Sequence, residues 1–130
     1  MTINTYRYDY APRQIGSSRK TNSPGEIAVI IVVLRTRLRP EAAEAYSAMA
    51  EKLGPLAQSI PGYIAHKSFV AADGEKVTIA EYESEEAMRA WGRHPDHLEG
   101  KRAGATEFFS EYSAQICELK RERRSPKVRT

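Results

Sequence analysis

Trp91, His94 and His97 stand within two helical turns of one another, around Pro95, in the run EEAMRAWGRHPDHLEG. A proline inside a helix removes a hydrogen bond and clashes with the preceding turn, so the chain must bend or stop between the two imidazoles. An indole and two imidazoles therefore gather at one corner. Imidazole suits proton transfer near neutrality because its unperturbed pKa is about 6.5. A metal centre is not expected here. His94-x-x-His97 with Asp96 offers ligand types, yet Pro95 disrupts the i, i+3 geometry and no third ligand is evident. The remaining histidine, His66, lies mid-strand in YIAHKSF and faces either a pocket against the sheet or solvent. Each of these residues also has a plainer role open to it. A histidine can cap a helix or sit on a surface, and Trp91 shares helical spacing with Ala87, as core residues do. Cys117 lies inside an apolar strand pattern with no histidine beside it in sequence, so a buried structural thiol is expected rather than a nucleophile. The sequence contains no glycine-rich phosphate loop and no nucleophile elbow.

A small set of elements must hold these side chains. Residues 27–38, IAVIIVVLRTRL, are apolar on both alternating faces as far as Leu34, as in a strand buried on both sides. Arg39-Pro40 stops it, and Pro40 suits the first turn of a helix. A helix over 41–59 follows, with Ala42, Ala45, Met49, Leu53, Leu56 and Ile60 at helical spacing and Glu41 and Glu44 near its N-terminal end. Ile60-Pro61-Gly62 ends it. Tyr63–Val70 and Val77–Glu83 are strands joined through Ala71-Ala72-Asp73-Gly74, where Asp-Gly is a strong hairpin signal. Ser84 is placed to cap a second helix whose face is Ala87, Ala90 and Trp91. After Pro95 a short helix runs to about Gly104, and Phe108–Leu119 is the last strand. The order β-α-β-β-α-β is an α+β, ferredoxin-like unit with one antiparallel four-stranded sheet. Its helices can cover one face only. A second copy of the sheet is the simplest cover for the other, so a homodimer is expected.

A chain of 130 residues accommodates one domain with a real core. It holds no run of about 18 apolar residues, so no membrane span is expected. Tyr6, Tyr8 and Tyr10 stand among polar residues, without the apolar core of a signal peptide. A single cysteine excludes an internal disulfide, and these features together suit a reducing cytoplasm. The net charge of +3 conceals an asymmetry. Residues 1–25 carry +3 (Arg7, Arg13, Arg19 and Lys20 against Asp9) and residues 120–130 carry +5 (six cations against Glu122), which leaves −5 on residues 26–119. An acidic globular part argues against nucleic-acid binding. The expected organisation is an irregular arm over 1–25, a domain over 26–119 and a basic, solvated tail over 120–130.

The two-faced first strand, the turn Ile60-Pro61-Gly62-Tyr63, the Asp73-Gly74 hairpin, the run EYESEEAMRAW and the HPDH after it resemble the antibiotic biosynthesis monooxygenase domain over about residues 26–119. The resemblance implies a dimeric α+β barrel with a pocket between sheet and helices in each subunit. The activities it brings are cofactor-independent oxygenation of aromatic polyketides or quinols, haem degradation, and isomerisation. The haem-degrading branch uses an asparagine on the first strand, a tryptophan in the second helix and a histidine ten residues beyond it. Trp91 matches the tryptophan, but Lys101 stands at the histidine position and Val33, Leu34 and Arg35 where the asparagine belongs. A lysine has no lone pair until deprotonated and is a poor axial ligand. Haem is therefore not expected, and no cofactor is called for. What remains is a monooxygenase of a small aromatic or quinol-like compound, with dioxygen as the second substrate. Such chemistry needs an electron-rich substrate in its deprotonated form, a base near neutral pH, an apolar pocket and a donor for the developing oxyanion. His97 is the expected base, with His94 and His66 behind it and Trp91 beside them. His66, Phe69, Tyr82, Phe109 and Tyr112 are the expected lining, although period-2 placement also fits ordinary strand packing. The alternative is a non-catalytic small-ligand-binding dimer of the same fold.

Overall fold

The computed structural model describes residues 18–19 and 28–126. Its elements run β1 (Ser18–Arg19), β2 (Ile30–Leu38), α1 (Ala43–Gln58), β3 (Tyr63–Val70), β4 (Lys76–Tyr82), α2 (Glu85–Gly92), α3 (Pro95–Ala103), β5 (Phe109–Glu118) and β6 (Glu122–Arg123). Four strands form one antiparallel sheet in the order β3-β4-β2-β5, and β1 pairs with β6 in a separate ladder. The ferredoxin-like α+β architecture is present, with its second helical segment divided at Pro95.

Strand β2 is central because its residues alternate between two faces that are both worth filling. Ile30, Val32, Leu34, Thr36 and Leu38 point one way, and Ile31, Val33, Arg35 and Arg37 the other. Register carries the faces across the sheet. Val32 lies opposite Ala80 of β4 and Ile116 of β5, while Val33 lies opposite Ile79 and Gln115. The first face meets the helices. Ile30 packs with Ala57, Tyr82, Ala87 and Trp91 in one buried cluster. Ala42, Ala103 and Phe108 form a second, with Leu38 and Tyr46 against it. Burying a side chain such as Ile30 or Phe108 contributes roughly 1.5–3 kcal/mol.

Local chemistry sets the helix ends. Pro40 opens a short 3₁₀ turn, Pro40–Ala42, that leads into α1, where a missing N–H costs nothing. The Ser84 hydroxyl accepts the Ala87 N–H at 3.1 Å, with Glu85 and Glu86 in the first turn of α2. Pro95 is the first residue of α3, and the helix relaxes at its end into a π turn, Gly104–Phe108. That π turn was not visible in the sequence.

Four expectations are corrected. Strand β2 begins at Ile30, with Val29 buried just before it. The cysteine is exposed: Cys117 lies opposite Ile31 on the edge strand β5, on the sheet face turned away from the helices, so an apolar pattern there does not mean burial. The tail is not wholly irregular, since Glu122–Arg123 pairs with Ser18–Arg19 and Arg124 Nε meets Glu122 at 2.8 Å. The arm, expected to be irregular, contains that same strand; Tyr6, Tyr8 and Tyr10 lie outside the described residues.

Gly62 holds the turn between α1 and β3 at φ +88°, and its carbonyl accepts the Glu83 N–H at 2.7 Å. A Cβ there would stand 2.6 Å from the Ala87 Cβ, whereas at Gly74, φ +92°, it would meet nothing within 4 Å. Both substitutions strain the backbone, but only one collides. Gly62→Ala is expected to destabilise by roughly 2–4 kcal/mol and Gly74→Ala by about 1 kcal/mol. Urea denaturation of the two variants checks this, and equal losses would show that the Ala87 contact is relieved.

Candidate functional site

The corner at Pro95 is built as expected, but its residues are occupied. Trp91 is buried in the core, and the His97 ring stacks on it with centroids 4.3 Å apart and planes 12° from parallel. His97 Nδ1 lies 2.9 Å from the Trp91 carbonyl oxygen. A carbonyl can only accept, so Nδ1 carries the proton and Nε2 the lone pair. This bond ties the first turn of α3 to the last turn of α2. His94 sits 5.5 Å from the Trp91 ring and accepts the Asp96 N–H on its own Nδ1 at 3.2 Å, making it the N-cap of α3. Lys101, two turns on, donates to the Gly92 carbonyl at 3.2 Å. Imidazoles and ammonium alike hold two short helices together. Burial, with the nearby charges of Lys101 and His94 adding to it, pushes the His97 pKa down to about 4.

A second constellation lies on the sheet itself, along positions that face the helices. His66 is opposite Ala80, Ser68 opposite Thr78, and Lys76 opposite Thr36. The Tyr63 hydroxyl lies 2.6 Å from His66 Nδ1, and the two rings meet edge to face at 5.5 Å. Burial raises the Tyr63 pKa, so the phenol keeps its proton. The phenol can donate to Nδ1, which puts the His66 proton on Nε2, or accept from a protonated Nδ1. Burial first, then the Lys76 charge, lowers the His66 pKa to about 4. Ser68 and Thr78 share a 2.7 Å hydrogen bond. Further along, the Lys76 ammonium stands 4.6 Å from the centroid of the Tyr46 ring of α1 and donates to its hydroxyl. Thr36 between them is buried.

Of the residues expected to line a site, Tyr82 is buried beside Tyr63, 6.2 Å ring to ring, and burial raises its pKa. It joins Trp91 and His66 into one region. The others are elsewhere. Phe69 pairs with Val77 on the opposite face and is 49% exposed, under the Lys67 ammonium. Phe109 packs edge-on to Tyr46 at 5.7 Å in the second cluster. Tyr112 is 62% exposed on the edge strand. Sequence reasoning missed Tyr46, Ser68, Lys76 and Thr78. Their signal was available: polar residues repeat with period 2 on the strand positions that a covered sheet reserves for apolar ones. Among the described residues, no group of three or more His, Cys, Asp or Glu could hold a metal ion, and no helix is long and apolar enough to cross a membrane.

Comparison with known proteins agrees with this architecture. The profile of the family described as antibiotic biosynthesis monooxygenase matches residues 29–103. The chain is similar to the uncharacterised protein YqjZ of Bacillus subtilis, 28% identical over 104 residues, which is 80% of this chain and 88% of that one. Among solved structures, a conserved protein from Methanosarcina mazei superposes with a TM-score of 0.65 at 16% identity, covering 72% of this chain and 95% of that one. SnoaB, a cofactor-independent oxygenase from Streptomyces nogalater, superposes with a TM-score of 0.60 at 18% identity, covering 72% and 94%.

Two histidines whose folded pKa lies below the unfolded value of about 6.5 make stability depend on pH. Their neutral forms are favoured by folding, so the contribution is complete above about 6.5 and is lost as pH falls toward about 4. Urea unfolding is expected to show stability falling across that window with proton uptake on unfolding. His97→Gln, whose amide can still donate to the Trp91 carbonyl, is expected to flatten the slope. An unchanged slope would show that His97 is not buried in its neutral form.

Proposed function

The chain belongs to the antibiotic biosynthesis monooxygenase family, and from that membership we propose that it is a cofactor-independent monooxygenase of a small aromatic or quinol-like compound. The observation that carries the reading is the row of polar groups on the helix-facing side of β3 and β4, where a sheet used only for packing would bury apolar side chains. SnoaB, of the same fold, is a cofactor-independent oxygenase. The reaction closes without an outside reductant. A ring carbon bearing two hydrogens becomes a carbonyl, one atom of dioxygen enters it, and the other leaves as water with both hydrogens.

The roles of the histidines shift from the sequence expectation. A general base works best with a pKa near the operating pH, and His97, at about 4 with its Nδ1 proton committed to a carbonyl, is a weak one. Its geometry supports a brace between α2 and α3. His66 presents the better chemistry. In the tautomer whose Nδ1 accepts from the Tyr63 hydroxyl, its Nε2–H donates a hydrogen bond to a substrate oxygen as charge develops there. The low basicity of both histidines also favours the second reading, a ligand-binding dimer without catalysis.

Assembly belongs to the same proposal. The sheet face turned away from the helices carries Ile31, Val33, Val77, Ile79 and Phe69, with Phe69 49% and Ile79 36% exposed. A two-fold copy of that face covers it. A cytoplasmic setting fits the single, exposed Cys117.

Oxygen uptake with a panel of quinols under metal-free conditions separates the two readings. With an accepted substrate, His66→Ala is expected to lower turnover roughly 10²-fold, the effect of losing one oxyanion donor. Native rates in that variant would remove His66 from the mechanism, and binding without uptake across the panel would leave the non-catalytic reading standing. Sedimentation is expected to show a dimer. Ile31→Lys, on the open face, is expected to give a folded monomer, whereas Val32→Lys, on the helix face, is expected to unfold. A native protein that sediments as a monomer would exclude the barrel.

A further inference from the structure

The helix-facing side of the sheet is buried at its two ends and open between them. Ile30 and Tyr82 lie under α1 and α2 in one cluster. Thr36 and Phe108 are buried at the other end, where Leu38, Tyr46 and Met49 close around the second. One rung of the sheet lies between. Register sets Ser68 of β3 opposite Thr78 of β4, Thr78 opposite Leu34 of β2, and Leu34 opposite Ala114 of β5. All four turn toward the helical side, yet Leu34 joins neither cluster. Ser68, Thr78 and Leu34 are only half-buried, and Ala114 is exposed. Four strands spaced by about 4.8 Å make this rung roughly 14 Å long. Its character changes along that length. Ser68 and Thr78 share one hydrogen bond of 2.7 Å, in which one hydroxyl donates and the other keeps its own proton. The pair can therefore give a hydrogen bond to a ligand and take one from it. Leu34 and Ala114 offer only carbon. On the same face of β5, Tyr112 and Ile116 flank Ala114 at 62% and 59% exposure, so the helical layer leaves them uncovered.

A floor that is polar at one end and apolar at the other selects a molecule built the same way. We propose that the rung Ser68–Thr78–Leu34–Ala114 is the floor of a binding cleft that takes a ring with an oxygen at one end and an unbranched alkyl substituent at the other. The oxygen sits on Ser68 and Thr78, and the alkyl chain lies over Leu34 and Ala114 toward Ile116. A bare ring is too short to cover the rung. A polar substituent laid over Leu34 and Ala114 would lose water and find no partner. An alkyl chain loses nothing there, and it covers apolar surface that is otherwise wet. This deepens the proposed oxygenase reading, on which it rests for the ring, and narrows the substrate class to alkyl-substituted phenols and quinols.

The test is binding without turnover: calorimetric titration of the full chain with phenol and with 4-hexylphenol, the latter kept below its micelle-forming concentration. Each buried methylene is worth about fourfold in affinity, and 4-hexylphenol is expected to bind about thirtyfold more tightly than phenol, or better. Ala114→Asp, at an exposed position of the floor, is expected to cut that ratio to about fivefold or less. The same variant is expected to keep native phenol binding, which also shows that it folds. Gln115→Glu, next along β5 but on the opposite face, is expected to keep the full ratio. Ser68→Ala combined with Thr78→Val is expected to weaken both probes alike, by about tenfold. A native ratio near one, the same ratio in Ala114→Asp as in Gln115→Glu, or unchanged phenol binding in the double variant would each overturn the proposal. So would an Ile116→Asp variant that turns a sedimenting dimer into a monomer, since the exposed face of β5 would then seat a second copy of the chain. The two readings fail separately. An Ala114-dependent ratio with no oxygen uptake from any alkylated quinol would sink the oxygenase and keep the cleft, and quinol oxidation equally fast with and without an alkyl chain would do the reverse.

Discussion

Strand β2 hydrogen-bonds along both edges, to β4 and β5, and turns its two faces to different surroundings. That double obligation shapes the rest of the domain. Satisfying the edges makes β2 central and forces an antiparallel partner on each side. Satisfying one face brings three helices onto it, with Ile30 at the middle of the apolar cluster that includes Trp91. The other face turns Ile31 and Val33 away from the described helices, across from Glu81 and Cys117 and from Ile79 and Gln115. A polar residue is tolerable on the covered face only if the layer above supplies a partner. The polar row on β3 and β4 has such partners, with Tyr63 meeting His66 and Tyr46 of α1 meeting Lys76.

The two histidines and the tryptophan gathered at Pro95 all have structural roles: His97 joins α3 to α2 through the Trp91 carbonyl and ring, and His94 caps α3. Short helices need such ties. Helices of eight and nine residues bury little apolar surface of their own, and α3 buries Ala103 alone among its residues. Hydrogen bonds from ring nitrogens and a stacked indole supply what packing does not.

The fold was legible because its signals were local and redundant. The Cβ-branched run of β2, the Asp73-Gly74 hairpin, the Ser84 cap and Pro95 each stand where the structure uses them. Strand ends moved by a residue or so, and Cys117 was misjudged because it lies on an edge strand and on the face turned away from the helices, properties of the sheet that no single strand displays. The site was less legible for a related reason. Which face of β3 meets the helices depends on a register shift between Tyr63 and Ala65, and beyond it simple alternation puts His66 and Phe69, three residues apart, on opposite sides. Period-2 reading assigns alternate residues to alternate faces correctly but cannot say which face is inside. The Lys76–Tyr46 contact spans thirty residues of sequence and two elements, so neither residue stood out by itself.

The π turn at Gly104–Phe108 determines the phase of everything after it. It converts a helix of 3.6 residues per turn into a strand of two, and its extra width seats Phe108 in the core while Phe109 folds back over Gly104. Phase here is discrete. One residue more or fewer in the turn would rotate β5 by half a period, so that Ile116 and Cys117 would exchange faces along with every neighbour. The hairpin at Ala71–Glu75 carries no such constraint, because a loop between two antiparallel strands can change length without altering the phase of either. Insertions and deletions should therefore accumulate in the hairpin and be excluded from the π turn, although both lie at the Leu38 end of β2. The five residues Gly104–Phe108 act as a fixed spacer between the helical layer and the strand that closes the sheet.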